Sequence, residues 1–204
     1  MPVAKEKGGD FTPLPAGSHI SRCFAVVSLG TQQNPMFPAS FKVMLMFEVP
    51  GERIKVDNED RPMVIQKEYT LSLSEKANLR HDLESWRGRQ FTKQELEGFE
   101  VQKVLGQPCM LSVIHKTTGK GKTYGAISGI SGLPKGVQCP PAFHKTIHFE
   151  IEDGKAEAYN ALPDWLKKKI DACEEWIHPI AAEPPPAEPE PDFVPDDGGN
   201  DVPF

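Results

Sequence analysis

Cations stand beside flat rings at four places in this chain: Phe41 and Lys42, Lys67 and Tyr69, Trp86 with Arg87 and Arg89, and Lys116, Lys120 and Lys122 with Tyr124. Side chains of those types suit an unpaired polynucleotide. Its phosphates need positive charge, and its exposed base faces need platforms, each stacked base contributing about 1–3 kcal/mol. Each position also has a plainer reading. Phe41 shares parity with Val43, Leu45 and Phe47 and fits a core, and Trp86 continues an apolar helical stripe with Leu79 and Leu83. Arg87 and Arg89 suit the negative end of a helix dipole, and a lysine-bearing turn can simply be solvated. The lysines gain weight from their context, because residues 101–149 contain no acid while Lys103, Lys116, Lys120, Lys122, Lys135 and Lys145 all lie there. Such a run builds a local positive potential on a chain whose net charge is −6.

Other chemistries find poorer support. Residues 119–123 read Gly-Lys-Gly-Lys-Thr, but a phosphate-binding loop needs a glycine where Lys116 stands and a strand leading into a helix. Cys139, His144 and His148 could ligate a metal, yet a tetrahedral site needs a fourth ligand that the spacing does not place, so no metal and no cofactor is expected. The acidic run at Asp57, Glu59 and Asp60 reads as a solvated turn between strands. No nucleophile and base are paired by spacing, and an enzyme is not expected.

Charge divides the 204 residues unevenly. Residues 181–204 hold seven of the 29 acids and none of the 23 Lys and Arg, which leaves a nearly neutral body with 22 acids. The acids, prolines and low apolar content of residues 179–204 predict a disordered tail, ending on Asp196, Asp197, Asp201, Val202, Pro203 and Phe204. Such a segment cannot build a core, but its charged stem and apolar tip can dock in a partner's pocket. Four scattered cysteines without a CxxC pair, and no signal segment, suggest a reduced cytoplasmic setting. No apolar run approaches the roughly 20 residues of a membrane helix, so a soluble protein is expected.

The elements that must position these residues follow from periodicity. Polar residues 1–16 suggest a flexible lead-in; apolar residues near period two predict strands at 17–33, 41–49, closed by Pro50 and Gly51, and 62–73. A capping box of Ser72 and Glu75 would open a helix carrying Leu79, Leu83 and Trp86 and ending at Gly88; a second box, Thr92 with Glu95, opens a short helical turn. Strands at 108–115 and 123–130 then form a hairpin with a lysine-rich tip. An extra strand is expected at 143–151 and a final helix at 163–177, with Leu166, Ile170, Cys173 and Ile177 on one face. Three strands, a helix and two strands is the connectivity of a five-stranded OB barrel over residues 17–151, with a helical extension at 152–178. Its binding loops would be residues 33–40 and 116–122.

The Asp-Val-Pro-Phe ending at 201–204 resembles the tail of bacterial and phage single-stranded DNA-binding proteins. Residues 69–136, including Leu83-Glu84-Ser85-Trp86-Arg87-Gly88-Arg89 and Ile130-Ser131-Gly132-Leu133-Pro134-Lys135-Gly136, are similar to phage-encoded members of that group, as is the helix around Pro163-Asp164-Trp165-Leu166. The resemblance covers about half the chain plus its end, and departs where Gly198, Gly199 and Asn200 dilute the tail acids. It implies an OB fold that coats single-stranded DNA during replication or recombination, recruits replication and recombination proteins through the tail, and could form a homo-oligomer. The alternative is a module that binds no DNA and acts on the host replication machinery as an inhibitor or scaffold.

Overall fold

A computed structural model describes residues 12–56 and 58–177. It is mainly β, a curled antiparallel half-barrel of five strands with a few short helices. β1 (Gly17–Asn34), β2 (Phe37–Val56) and β3 (Glu59–Thr70) form successive hairpins. α1 (Asn78–Arg87), α2 (Lys93–Glu97) and a 3-10 turn at Val101–Val104 then lead to β4 (Pro108–Thr117) and β5 (Thr123–Ser131). The hydrogen-bonded order is β3-β2-β1-β4-β5. β1 belongs to both halves: Arg22–Asn34 pairs with β2, while Gly17–Arg22 pairs with β4.

Long strands curl where an extra residue breaks the register. In β1 the register slips between Cys23 and Ala25 and again between Ser28 and Gly30. The first slip reverses parity, so Cys23 and Val26 face the inside of the curl while Ala25, Val27 and Leu29 face outward. β2 continues past Pro50 and Gly51, which had been expected to end it. A register shift between Val49 and Arg53 absorbs the proline, which has no N–H for the ladder.

Both faces of β1 and β2 are buried. Inside the curl, Val43, Leu45, Phe47, Ile65 and Leu111 pack with Leu79, Leu83 and Trp86 of α1. On the outer face, Phe24, Val27, Leu29, Met44 and Met46 pack under the C-terminal segment. That segment holds β6 (Ile147–Phe149), a 3-10 turn at Ile151–Asp153, α3 (Glu157–Asn160), α4 (Asp164–Asp171) and α5 (Glu174–Ile177). β6 pairs in parallel with Ala25–Val27, and Leu166 and Ile170 of α4 are fully buried on the outer core.

Three local expectations need correction. Ser72 does not cap α1: its Oγ accepts the Ser74 N–H at 3.2 Å in a local turn, and α1 starts after Ala77 without a side-chain cap. The extra strand shrinks to three residues because buried Glu48 accepts the backbone N–H groups of Phe143 and His144, holding them off the sheet. The final helix divides, since Cys173 N–H turns to the Ile170 carbonyl and Gly30 packs against the Cys173 side chain. Gly88 does terminate α1, at φ 68°, and Thr92 with Glu95 forms the reciprocal capping box.

Candidate nucleic-acid interface

β3 and β5 approach each other without joining the ladder, leaving a seam along the half-barrel. A groove of about 720 Å³ runs there, with Val64, Gln66, Lys67 and Glu68, the last paired with Lys169, on one wall and Lys116, Tyr124 and Ala126 on the other. Leu14 lies at its floor, held by its carbonyl on His115 Nε2 at 2.9 Å. Gly125 makes room for it, since a Cβ there would come within 3.3 Å of the Leu14 carbonyl oxygen.

The β4–β5 hairpin carries the groove's positive charge. Thr118 closes the tip: its N–H donates to the Lys122 carbonyl at 2.9 Å, and its Oγ1 accepts the Lys122 N–H at 3.1 Å. Gly121 takes φ +78°, which a side chain would resist. Lys116 sits directly across from Tyr124, a residue 38% exposed. Among the described residues neither Lys116 nor Lys120 enters an ion pair. A cross-strand cation and ring thus face a groove beside a lysine turn.

The remaining predicted contacts are placed elsewhere or already engaged. Tyr69 is buried among core side chains and donates its hydroxyl to Asp82 at 2.7 Å, so its ring is no stacking platform. Burial and the Asp82 carboxylate both push its phenol well above the usual range. Lys67 lines the groove, but its Nζ lies 2.6 Å from the same carboxylate and 5.3 Å from the Tyr69 ring centre. Trp86 is buried against Phe47 and donates Nε1 to the Pro108 carbonyl at 2.8 Å. Phe41 packs on the outer core, and Lys42 donates to Thr70 Oγ1 at 2.7 Å. Arg87 and Arg89 share Glu95, Arg89 through two 2.8 Å bonds. Hydrogen bonds from Arg89, then the Thr92 N–H and Arg87, hold the Glu95 carboxyl well below the usual carboxylate range. Of the eleven expected contacts, the groove brings together Lys67, Lys116 and Tyr124, with Lys120 and Lys122 on the adjoining tip.

Cys139, His144 and His148 do not converge. Cys139 Sγ lies 3.7 Å from the Ser21 carbonyl, His144 Nδ1 is 2.8 Å from Glu48, and His148 Nε2 is 3.2 Å from Glu150. No cluster of three metal-ligating residues occurs among the described residues. Burial pushes the Cys23 thiol up to about 12 and the Cys109 thiol higher still, so neither is a reactive nucleophile. The expected tail contacts Asp196, Asp197, Asp201, Val202, Pro203 and Phe204, and the lead-in before residue 12, lie outside the described residues.

Two features escaped the sequence reading. The β1–β2 turn presents Met36 at 82% and Phe37 at 68% exposure, a pair that a strand-period reading treats as loop. Beside the end of α1, a cavity of about 590 Å³ is lined by Trp86, Phe99, Val104 and Leu133, with Arg87 and Arg89 at its edge. No family model and no curated protein matches this chain. No described helix is long and apolar enough to cross a membrane.

Proposed function

We propose that this protein binds single-stranded DNA, its curled sheet serving as an OB-like barrel and the seam between β3 and β5 as the strand's track. The observation that carries the reading is the β4–β5 hairpin. Lys116, Lys120 and Lys122 cluster on one turn within an acid-free run, and Lys116 faces exposed Tyr124 at the mouth of the groove. Lysines there neutralise successive phosphates, and Tyr124 offers a ring to a base at the groove edge. Val64 and Gln66 supply the opposite wall. The groove has an open side, as a continuous polymer requires, and the binding needs no catalytic group.

The acidic terminus adds a recruiting function. Asp196, Asp197 and Asp201 would meet a basic rim on a replication or recombination protein, with Val202, Pro203 and Phe204 entering an apolar pocket. Fluorescence polarisation of a labelled oligo-dT at increasing salt tests the central claim. Submicromolar binding that weakens steeply with salt is expected. Absence of binding at low salt would leave the chain as a protein-interaction module.

A further inference from the structure

α4 carries an exposed ring and two cations beside its buried stripe. Leu166 and Ile170 are fully buried on the outer core, while Trp165 is 46% exposed. Lys168 and Lys169 follow Trp165 by three and four residues, so the three side chains share one face of the helix. Of the chain's three tryptophans Trp165 is the most exposed. Trp86 is 8% exposed and donates to the Pro108 carbonyl, and Trp176 packs against Phe149 and Tyr159.

This face adjoins the groove between β3 and β5. Lys169 Nζ pairs with Glu68, a residue of the β3 wall. Glu68 stands across from Met44, which lies in the outer core with Leu166 and Ile170. Val64, Gln66 and Glu68 alternate along β3 and share its outer face, so one line of side chains leads from the groove to α4. The helix is held in that place. Gln32 Nε2 donates to the Lys169 carbonyl at 3.1 Å and to the Leu29 carbonyl at 2.6 Å. A mount of that kind sets Trp165 in position before any partner arrives, which lowers the ordering cost of a contact.

Charge selects the partner. The acids of α4 and of the β3 wall are engaged: Glu68 by Lys169, Asp164 by Lys167 at 3.8 Å, and Asp171 by Lys155 at 2.9 Å. Among the described residues Lys168 enters no ion pair. An available ammonium beside an indole suits a polyanion with flat faces, the same chemistry as Lys116 and Tyr124 at the other wall.

Resting on the strand-binding reading, we propose that single-stranded DNA leaving the groove crosses the edge of β3 and continues onto α4, where Trp165 stacks a base and Lys168 meets a phosphate. Lys169 offsets the repulsion that Glu68 would exert on phosphates at the crossing. The C-terminal helices are then part of the binding surface as well as a cover for the outer core. A short strand fills the groove, and only a longer one reaches α4.

Polarisation of labelled oligo-dT of about 5 and about 15 nucleotides, within the ~4–16 that an OB fold occupies, tests the extension. W165S and K168E should each weaken the longer strand about tenfold and leave the shorter within about twofold. K168E should also lower the salt slope on the longer strand by ~0.7. The longer strand should quench tryptophan emission, and W165F, which keeps a ring to stack, should retain most of the affinity but lose the quench. A W165S/K168E protein with a native thermal melt that binds the longer strand like wild type overturns the extension and leaves groove binding standing. Equal losses on both lengths overturn it too, since the two residues would then act on the groove itself. Failure of the wild type to bind either strand sinks the strand-binding reading, and this one with it.

Discussion

Two hairpins at opposite ends of β1 make opposite use of an exposed turn. The β4–β5 turn lies beyond Gly17 and carries lysines on a glycine-rich loop. The β1–β2 turn lies beyond Asn34, carries no charge, and is braced at its base by α5. Lysine ammonium groups on their long flexible stems can follow a phosphate chain whose geometry varies, because point charges tolerate displacement. An apolar point gains from burial only when the receiving surface fits, so a rigid mount reduces what ordering would otherwise cost. On the proposed reading the charge pattern suits the first turn to a phosphate polymer, whereas the uncharged, braced second turn is not suited to one.

The largest expected effect separates the two directly. K116E/K120E/K122E should lower oligo-dT affinity about 1,000-fold at low salt, and the salt slope should fall by about 2, since each single-strand phosphate contact contributes ~0.7. M36S/F37S should leave that affinity within about twofold, as a surface change remote from the phosphates. Polarisation titrations at four salt concentrations measure both, and comparable losses from the two variants would abolish the distinction. Bracing is broken next. Gly30 sits at φ +68°, and a Cβ there would lie 2.6 Å from Cys173 Cβ and 2.6 Å from Glu175 Oε2. Gly30→Ala should cost about 2–4 kcal/mol, seen as a lower urea midpoint. Amide exchange should quicken through residues 31–37 while the β4–β5 turn keeps its native rate. A smaller effect tests the ring at the groove mouth: Tyr124→Ser should weaken oligo-dT binding about tenfold, the worth of roughly one stacked base, without changing the salt slope.

Which parts of this arrangement were legible in sequence depends on how local their causes are. β1, β4 and β5 were readable to within about two residues because runs such as Phe24 to Val27 and Leu111 to Val113 have no competing helical period. Gly88 and the Thr92–Glu95 box were readable because a cap is decided within four residues. The turn lysines were readable from charge alone. Met44 and Met46 were different: they alternate with Val43, Leu45 and Phe47 of the inner core, and a layer more than a hundred residues downstream covers them. Tyr69 and Lys67 looked like an exposed ring and cation until Asp82, on a separate helix, drew both inward. The groove depended on Leu14, a lone apolar residue in a proline-flanked lead-in with no periodic partners. Long-range partners, then, decided the residues that sequence placed on the wrong face.

The arginines beside α1 sharpen the comparison further, because they are cations that sequence grouped with the lysines and that both pair with the one Glu95 carboxylate. If Arg87 and Arg89 are spent, Glu95→Gln should change oligo-dT affinity less than threefold while loosening α2, whose capping box needs the Glu95 carboxylate. A rise comparable in size to the lysine losses would return the arginines to the strand's track. Titration gives the same contrast with a definite sign. Hydrogen bonds from Arg89, Thr92 and Arg87 depress the Glu95 carboxyl in the folded protein. Its stabilising contribution is therefore complete above the ordinary glutamate range near pH ~4.3 and is lost only as pH falls through the lower folded value. The Glu95 carboxyl carbon, followed by NMR from pH 6 downward, should keep its ionised shift below the ordinary glutamate range near pH ~4.3. Protonation within the ordinary glutamate range would mean that the guanidinium groups do not hold this carboxylate, and the division between the paired arginines and the hairpin lysines would fail.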